Sequence, residues 1–285
     1  MKGPIVRRIL LLFVVTAAPA QLSAQAHGVS IPVCAAVAGT DADHDGLSNE
    51  CELELARTFA PRLVVRSGGC NWDSAHARLG GGYLYAVQRV KDALRIAYLP
   101  AYFNDCGWSG AKCLLPWIDC APHAGDSELV MVELEQDTSA DWRVGGIFLS
   151  AHCFGRSGDD CRWYRGRDLR LFEWVEARPV VWVSEGRQAN YPTWSSCDRG
   201  HHSIDTCDNH DLAYDFPVRA DRNLGSRAAP AQPGGCVPGA DVASSLVDRG
   251  ASECFWRSDA GFAGWQGRGT GATGYERYLR EVAGF

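Results

Sequence analysis

From Arg62 onward, apolar residues come in short runs at strand-like spacing and not at helical spacing. The runs Arg62–Arg66, Tyr83–Val90, Leu94–Phe103, Glu128–Glu135, Val144–His152, Leu169–Val175 and Pro179–Ser184 are rich in Val, Ile, Leu, Phe, Tyr and Trp. Clusters of Gly, Asp, Ser or Cys separate them, as turns separate strands. This many strands with little helix between them predict a mainly β fold, a β-sandwich with short peripheral helices. Helical spacing is confined to Glu50–Phe59, Val242–Arg249 and Tyr275–Val282. The Pro- and Gly-rich stretch Arg227–Gly239 reads as a linker.

One apolar run differs from the rest. Ile9–Val15 follows the basic residues Lys2, Arg7 and Arg8 and precedes the small-residue triplet Ala24-Gln25-Ala26. That is the layout of a secretory signal ending at Ala26, and the run is too short to span a bilayer. The expected location is therefore secreted or periplasmic, with no transmembrane span. Residues 27–285 carry 25 Lys and Arg against 34 Asp and Glu, a net charge of −9. That balance argues against nucleic acid as a partner. All 12 cysteines also fall after Ala26, and none forms a C-x-x-C pair. In an exported chain an even count of this size predicts a disulfide-rich fold, not thiolate metal chemistry. The nearest pairs are Cys153–Cys161, Cys197–Cys207, Cys236–Cys254, and Cys106 with Cys113 or Cys120. The mature chain is expected to be a monomer.

The most specific motif lies just inside the mature N-terminus. Asp41, Asp43, Asp45, Gly46, Leu47 and Glu52 fit D-x-D-x-D-G-x5-E without a gap. Three aspartates supply oxygens at positions 1, 3 and 5, the Leu47 carbonyl serves position 7, and Glu52 closes the shell at position 12. Carboxylates crowded this closely repel one another unless a cation sits among them. The preceding segment GVSIPVCAAVAGT is a poor helix former, so a loop with only an exiting helix is expected. This arrangement predicts structural calcium, not a switching helix pair. The chain then divides into 1–26 (signal), 27–60 (calcium loop and exiting helix), 61–226 (β-sandwich) and 227–285 (linker and a small C-terminal lobe packed on the sandwich).

A second concentration of ligand-type residues lies in PHAGDSELVMVELE, Pro122 to Glu135. In one continuous strand, Asp126 and Glu128 would share a face that Val130 and Val132 continue. Charge on an apolar face is costly unless paired or bound to a metal. His123 precedes them, Asp105 ends an earlier run, and His152 ends a later one. Together Asp105, His123, Asp126 and Glu128 form a candidate set for a second divalent cation. The alternative is a solvated strand end with ordinary turn and core residues.

The runs LARTFAPRL, LPAYFND, HAGDSE, FLSAHC and RPVVWVSEGRQANYP, between Leu55 and Pro192, occur in an order that resembles two related groups. One is the vacuolar-sorting-associated family with its GDWE-like strand start. The other, more remote, is the necrosis- and ethylene-inducing peptide-like family, whose heptapeptide is GHRHDWE. The second resemblance implies a β-sandwich that binds a divalent cation and contacts glycan or lipid head groups outside the cell. It also implies that His123, Asp126 and Glu128 match H-x-x-D-x-E, with Asp105 upstream and His152 after the next strand. The chain departs from that pattern at Ser127, where the family has tryptophan, and at Ala124-Gly125. Gln188 stands where the first group often has histidine. The calcium loop lies outside both patterns.

Three functional readings follow, the third being a purely structural coat protein with neither ligand nor reaction. The first is a secreted calcium-binding protein that recognises an extracellular glycan or lipid head group. The second is a metal-dependent extracellular hydrolase of phosphate or carboxyl esters, with His152 as acid or base. The polar loop with His201, His202 and His210 reads as a disulfide-closed loop before it reads as a metal site. No G-x-S-x-G elbow or phosphate-binding glycine loop is present.

Overall fold

The computed structural model describes residues 28–35, 39–68, 82–100, 102–105, 123–126, 129–151, 161–185, 189–199, 205–208, 210–226 and 228–229. In chain order the elements are α1 (Asn49–Thr58), β1 (Arg62–Val65), β2 (Tyr83–Val90), β3 (Ala93–Pro100), β4 (Tyr102–Asp105), β5 (His123–Asp126), β6 (Val130–Gln136), β7 (Trp142–Leu149), β8 (Arg162–Arg165), β9 (Trp174–Val175), β10 (Arg178–Val183), β11 (Asn190–Tyr191), α2 (Trp194–Cys197), β12 (Leu212–Tyr214) and β13 (Val218–Asn223). Turns of 3-10 helix cover Pro32–Ala35 and Gly166–Leu171.

Six strands form one sheet in the order β13-β2-β3-β6-β7-β8. From β2 to β8 every pairing is antiparallel, and the two-residue turn Lys91-Asp92 joins β2 to β3. Strand β13 closes the other edge parallel to β2. A second sheet runs β11-β10-β1-β12, with β9 paired to β10. Here β1 and β10 are parallel although far apart in sequence. Leu63, Val181 and Val183 of this sheet join Leu84, Ile96 and Ile147 of the larger one in a single core. The mainly β architecture expected from the alternation is therefore present, with two sheets and short helices.

The centre of that core is aromatic. Tyr83 and Tyr98 are fully buried, with ring centroids 5.4 Å apart in an edge-on contact. Both hydroxyls still find acceptors, the carbonyls of Pro61 and Ala56, each at 2.9 Å. Burying a tyrosine this deeply is stable only with such a partner. These two bonds also fix α1 and its exit against the six-stranded sheet.

Several boundaries differ from the sequence expectation. The run Leu94–Phe103 breaks after Pro100, and the second half becomes β4. Strand β4 leaves the main sheet to pair with β5 alone. The expected strand Glu128–Glu135 begins at Val130, and His123–Asp126 belongs to the separate β4–β5 ribbon. His123–Asp126 and the strand that starts at Val130 thus pair in different sheets. Most of Leu169–Val175 is a 3-10 turn followed by the two-residue β9. Helix α1 lies within one residue of its expected limits, and among the described residues no α-helix precedes the aspartate motif. The expected helices Val242–Arg249 and Tyr275–Val282 lie outside the described residues, as does almost all of the C-terminal lobe. Cys197–Cys207 pairs as expected, whereas Cys34–Cys51 joins two segments whose pairing local spacing did not reveal. No described cysteine is free.

One charged row crosses the larger sheet. Arg95, Glu133, Gly146 and Arg165 are successive cross-strand partners on β3, β6, β7 and β8. Glu133 accepts from Arg95 Nε at 2.7 Å and from Arg165 Nε and Nη2 at 2.8 Å each. Both guanidinium groups stack on Trp163, at 4.8 and 4.1 Å from the ring centroid. Gly146 leaves the space they cross, since a Cβ there would lie 3.1 Å from Arg165 Cγ. Burial pushes the Glu133 carboxyl up, but the bonds from Arg165 and Arg95 outweigh it and hold the group below 4.5. Its stabilisation is thus present above that ordinary value and is lost as pH falls through the lowered one. Glu133→Gln is expected to cost about 2–3 kcal/mol at pH 7 in a denaturant titration. The gap should close in acid. Equal stability of the two proteins at pH 7 would contradict the pairing.

Candidate metal centre

The D-x-D-x-D-G segment folds as a tight turn into α1. The Asp41 carboxylate accepts from the backbone N–H groups of Asp45 and Gly46, at 3.3 and 3.1 Å. Asp45 Oδ1 accepts from Leu47 N–H at 2.8 Å. Gly46 has φ of +90°, which a residue with a side chain rarely adopts. Ser48 then caps the helix, its Oγ accepting from Cys51 N–H at 3.2 Å. These bonds place carboxylate oxygens of Asp41, Asp43 and Asp45 within 4.8 Å of one another.

Glu52 follows on the inner face of α1, the face that also carries Cys51, Leu55, Ala56 and Phe59. A glutamate with no solvent exposure on a face of apolar side chains needs a partner. It has half of one. Oε2 accepts from Asn223 Nδ2 at 3.1 Å, but Oε1 is buried with no partner. Asp43 is 4% exposed, and neither of its carboxylate oxygens has a partner. Asp45 Oδ2 is in the same condition. Among the described residues no arginine bridges this set as Arg95 and Arg165 bridge Glu133.

The electrostatics follow. Burial pushes Glu52 up to about 9, with Asp43 and Asp45 adding to the shift. Burial, then Asp45 and Asp41, push Asp43 up to about 6. Asp45 is raised too, first by burial, with the Leu47 N–H working against it. Buried hard oxygen donors that also repel one another are what a divalent cation of the calcium type neutralises. The residues fit that ion.

The second candidate set is resolved only in its backbone. The β4–β5 pairing puts Asp105 opposite His123 and Asp126 opposite Tyr102. Glu128 and His152 lie outside the described residues, as do Gln188, His201 and His202. Nearby, Leu129, Ser150 and Asn190 stitch the start of β6 to the end of β7 and to β11. Ser150 Oγ accepts from Leu129 N–H at 2.6 Å, and Asn190 N–H donates to the Ser150 carbonyl at 3.0 Å. Asn190 Oδ1 is buried without a partner. Sequence reasoning did not single out Asn190, nor Asn223 and Ser226 beside the calcium loop. No local signal marks them, because each acts on a segment far away in the chain.

Comparison with known proteins places these features at a distance from anything described. No family model matches the chain, and no curated protein matches it. Solved structures that match include one described as a toxin fold for microbial attack and plant defense, at 16% identity and a TM-score of 0.31, covering 58% of this chain and 83% of that one. Another is Necrosis and Ethylene inducing Protein 2 from the causal agent of cocoa's witches' broom disease, at 14% identity and 0.30, covering 58% and 76%. A third is NLPPya in complex with glucosamine, at 16% and 0.29, covering 65% and 88%. These are proteins of the necrosis-inducing kind, and none is of the vacuolar-sorting kind. At such scores the likeness carries no functional weight.

The raised carboxyls set the sign of a pH effect. Unfolded, Glu52 ionises near 4.5. Without a cation, its folded value of about 9 removes stability progressively as pH rises between the two. A cation requires the ionised forms, so it competes with protons. The rise in melting temperature on adding calcium should therefore be small at pH 5 and clearly larger at pH 8. A gain that does not change with pH would exclude these carboxyls as ligands.

Proposed function

We propose that the chain is an extracellular calcium-binding β-sandwich protein. Asp41, Asp43, Asp45, the Leu47 carbonyl and Glu52 hold one structural calcium ion. The observation that supports this reading is the pair of buried acids, Asp43 and Glu52, with three unpartnered oxygens between them; Asp43 clusters with Asp41 and Asp45, and Glu52 stands outside that cluster but feels the charge of all three. Secretion rests on the basic start, the apolar run and Ala24-Gln25-Ala26. No helix among the described residues is long and apolar enough to cross a membrane. The ligand we assign is an extracellular glycan or lipid head group, on the strength of the motif order shared with the necrosis-inducing family.

We further propose a second divalent cation at Asp105, His123, Asp126 and Glu128. The pairing of Asp105 with His123 across the β4–β5 ribbon supports it. This ion would sit at the ligand-binding end, whereas the first ion serves the fold.

A loop of this type on a secreted module binds calcium loosely, at about 10⁻⁴–10⁻³ M. At roughly ten- to hundred-fold excess over that value, linkage gives about 1.4–2.7 kcal/mol of added stability. Elemental analysis and thermal denaturation of the mature protein test both ions together. Asp43→Ala with Asp45→Ala should abolish the calcium-induced gain and remove one ion. Asp126→Ala should remove a different ion and leave that gain intact. A double variant that responds to calcium as wild type does would remove the loop from this reading. An Asp126→Ala protein that keeps every ion would remove the second site.

A further inference from the structure

The ligand loop is not held in place by its own residues alone. Glu52 Oε2 accepts from Asn223 Nδ2, and the Asp43 carbonyl accepts from Ser226 Oγ at 2.7 Å. Those partners stand 171 and 183 positions away in sequence, at the end of β13 and just beyond it. The orientation of Asn223 is set from its other side, where Oδ1 accepts from Gly225 N–H at 2.9 Å. The amide nitrogen is thereby turned towards the carboxylate. Glu52 is left with one buried oxygen free.

The path of β13 produces this contact. Val218 pairs with Tyr83 and Asn223 with Tyr85, so five steps on β13 match two on β2, and the register shifts between them. Leu224 N–H then donates to the Tyr85 carbonyl at 2.7 Å. At the other end of the strand, Arg57 Nε on α1 donates to the Val218 carbonyl at 3.2 Å. The irregular strand is therefore tied to α1 at its start and to the aspartate loop at its end. Half of the strand, Arg219 to Asp221, is exposed, so its docking depends on the contacts at its two ends.

We propose that Asn223 and Ser226 are positioning residues of the cation site, so that filling the loop and docking β13 form one coupled equilibrium. This rests on the calcium reading above. The cation needs Glu52 ionised and aimed, and Asn223 supplies the donor that favours both. Ser226 fixes the peptide that follows the Asp43 side chain. Because coupling is reciprocal, calcium must in turn hold β13 to β2. Partners behind a ligand commonly change metal affinity by roughly ten- to a hundred-fold.

Two measurements on the intact, disulfide-bonded mature protein test this. The first compares melting temperature in calcium and in chelator for wild type, Asn223→Leu and Ser226→Ala. A purely structural loss lowers both temperatures equally. The expected result is a smaller calcium-induced increment, with Asn223→Leu binding calcium about tenfold or more weakly. The second follows amide hydrogen exchange in wild type alone, which needs no variant to fold. Calcium should slow exchange at residues 218–226 as well as at 41–52. Unchanged increments in both variants, with exchange at 218–226 indifferent to calcium, would overturn the coupling while leaving the calcium site standing. A wild type that shows no calcium response at all would instead overturn the calcium reading, and this inference with it.

Discussion

A carboxylate on the buried face of a helix must be neutralised by something, and at Glu52 the protein provides only one amide. The same molecule shows the complete solution elsewhere. Glu133 is nearly as buried, yet Arg95 and Arg165 reach it with three charge-assisted bonds and a tryptophan backs them. Its carboxyl is held down, while that of Glu52 is driven up. The difference between the two sites is that no cationic side chain among the described residues bonds Glu52. At Glu52, Asp43 and Asp45 the charge is met either by protons, as the raised carboxyls show, or by the cation we propose.

The rest of the N-terminal region is arranged around this need. Cys34–Cys51 fixes the residue next to Glu52, Ser48 starts the helix, and Gly46 allows the turn that brings three aspartates together. The Tyr98 hydroxyl holds α1 by the Ala56 carbonyl, so the helix cannot rotate its glutamate away from the sheet. Asn223 and Ser226 extend the arrangement to β13, the edge of the larger sheet. In the reading we propose, calcium on this loop would serve the architecture and recognition would fall to another part of the molecule. The β4–β5 ribbon, outside both large sheets and carrying Asp105, His123 and Asp126, is the part we assign to it.

The aspartate turn into α1 was legible because its motif lies within twelve consecutive residues and each has a fixed place in the turn. The strands β1, β2, β3, β6, β7 and β10 were legible because each buries a face or both. Strands β8 and β13 were missed for the opposite reason: RWYR and VRADRN lie at sheet edges and show charge where alternation should be. The parallel pairing of β1 with β10 and the Cys34–Cys51 bridge join distant segments, which spacing cannot reveal. The stretch Pro122–Glu135 was read as a turn leading into a strand, yet His123–Asp126 is itself a strand, and it pairs in a different sheet from the one that starts at Val130. Asn223 shows the same limit in a small way, since nothing in VRADRN announces a contact with Glu52.

Calorimetric titration of chelator-stripped mature protein with calcium, for wild type and Glu52→Gln at pH 7.5, tests the central claim most directly. Gln keeps the size and the polar end of the side chain but cannot carry the charge that the ion must meet. Wild type should saturate with a binding isotherm in the loose extracellular range, and Glu52→Gln should lose that isotherm while remaining folded in chelator. Calcium binding of equal strength in the two proteins would mean that the buried carboxylate has some other partner, and the site would have to be placed elsewhere.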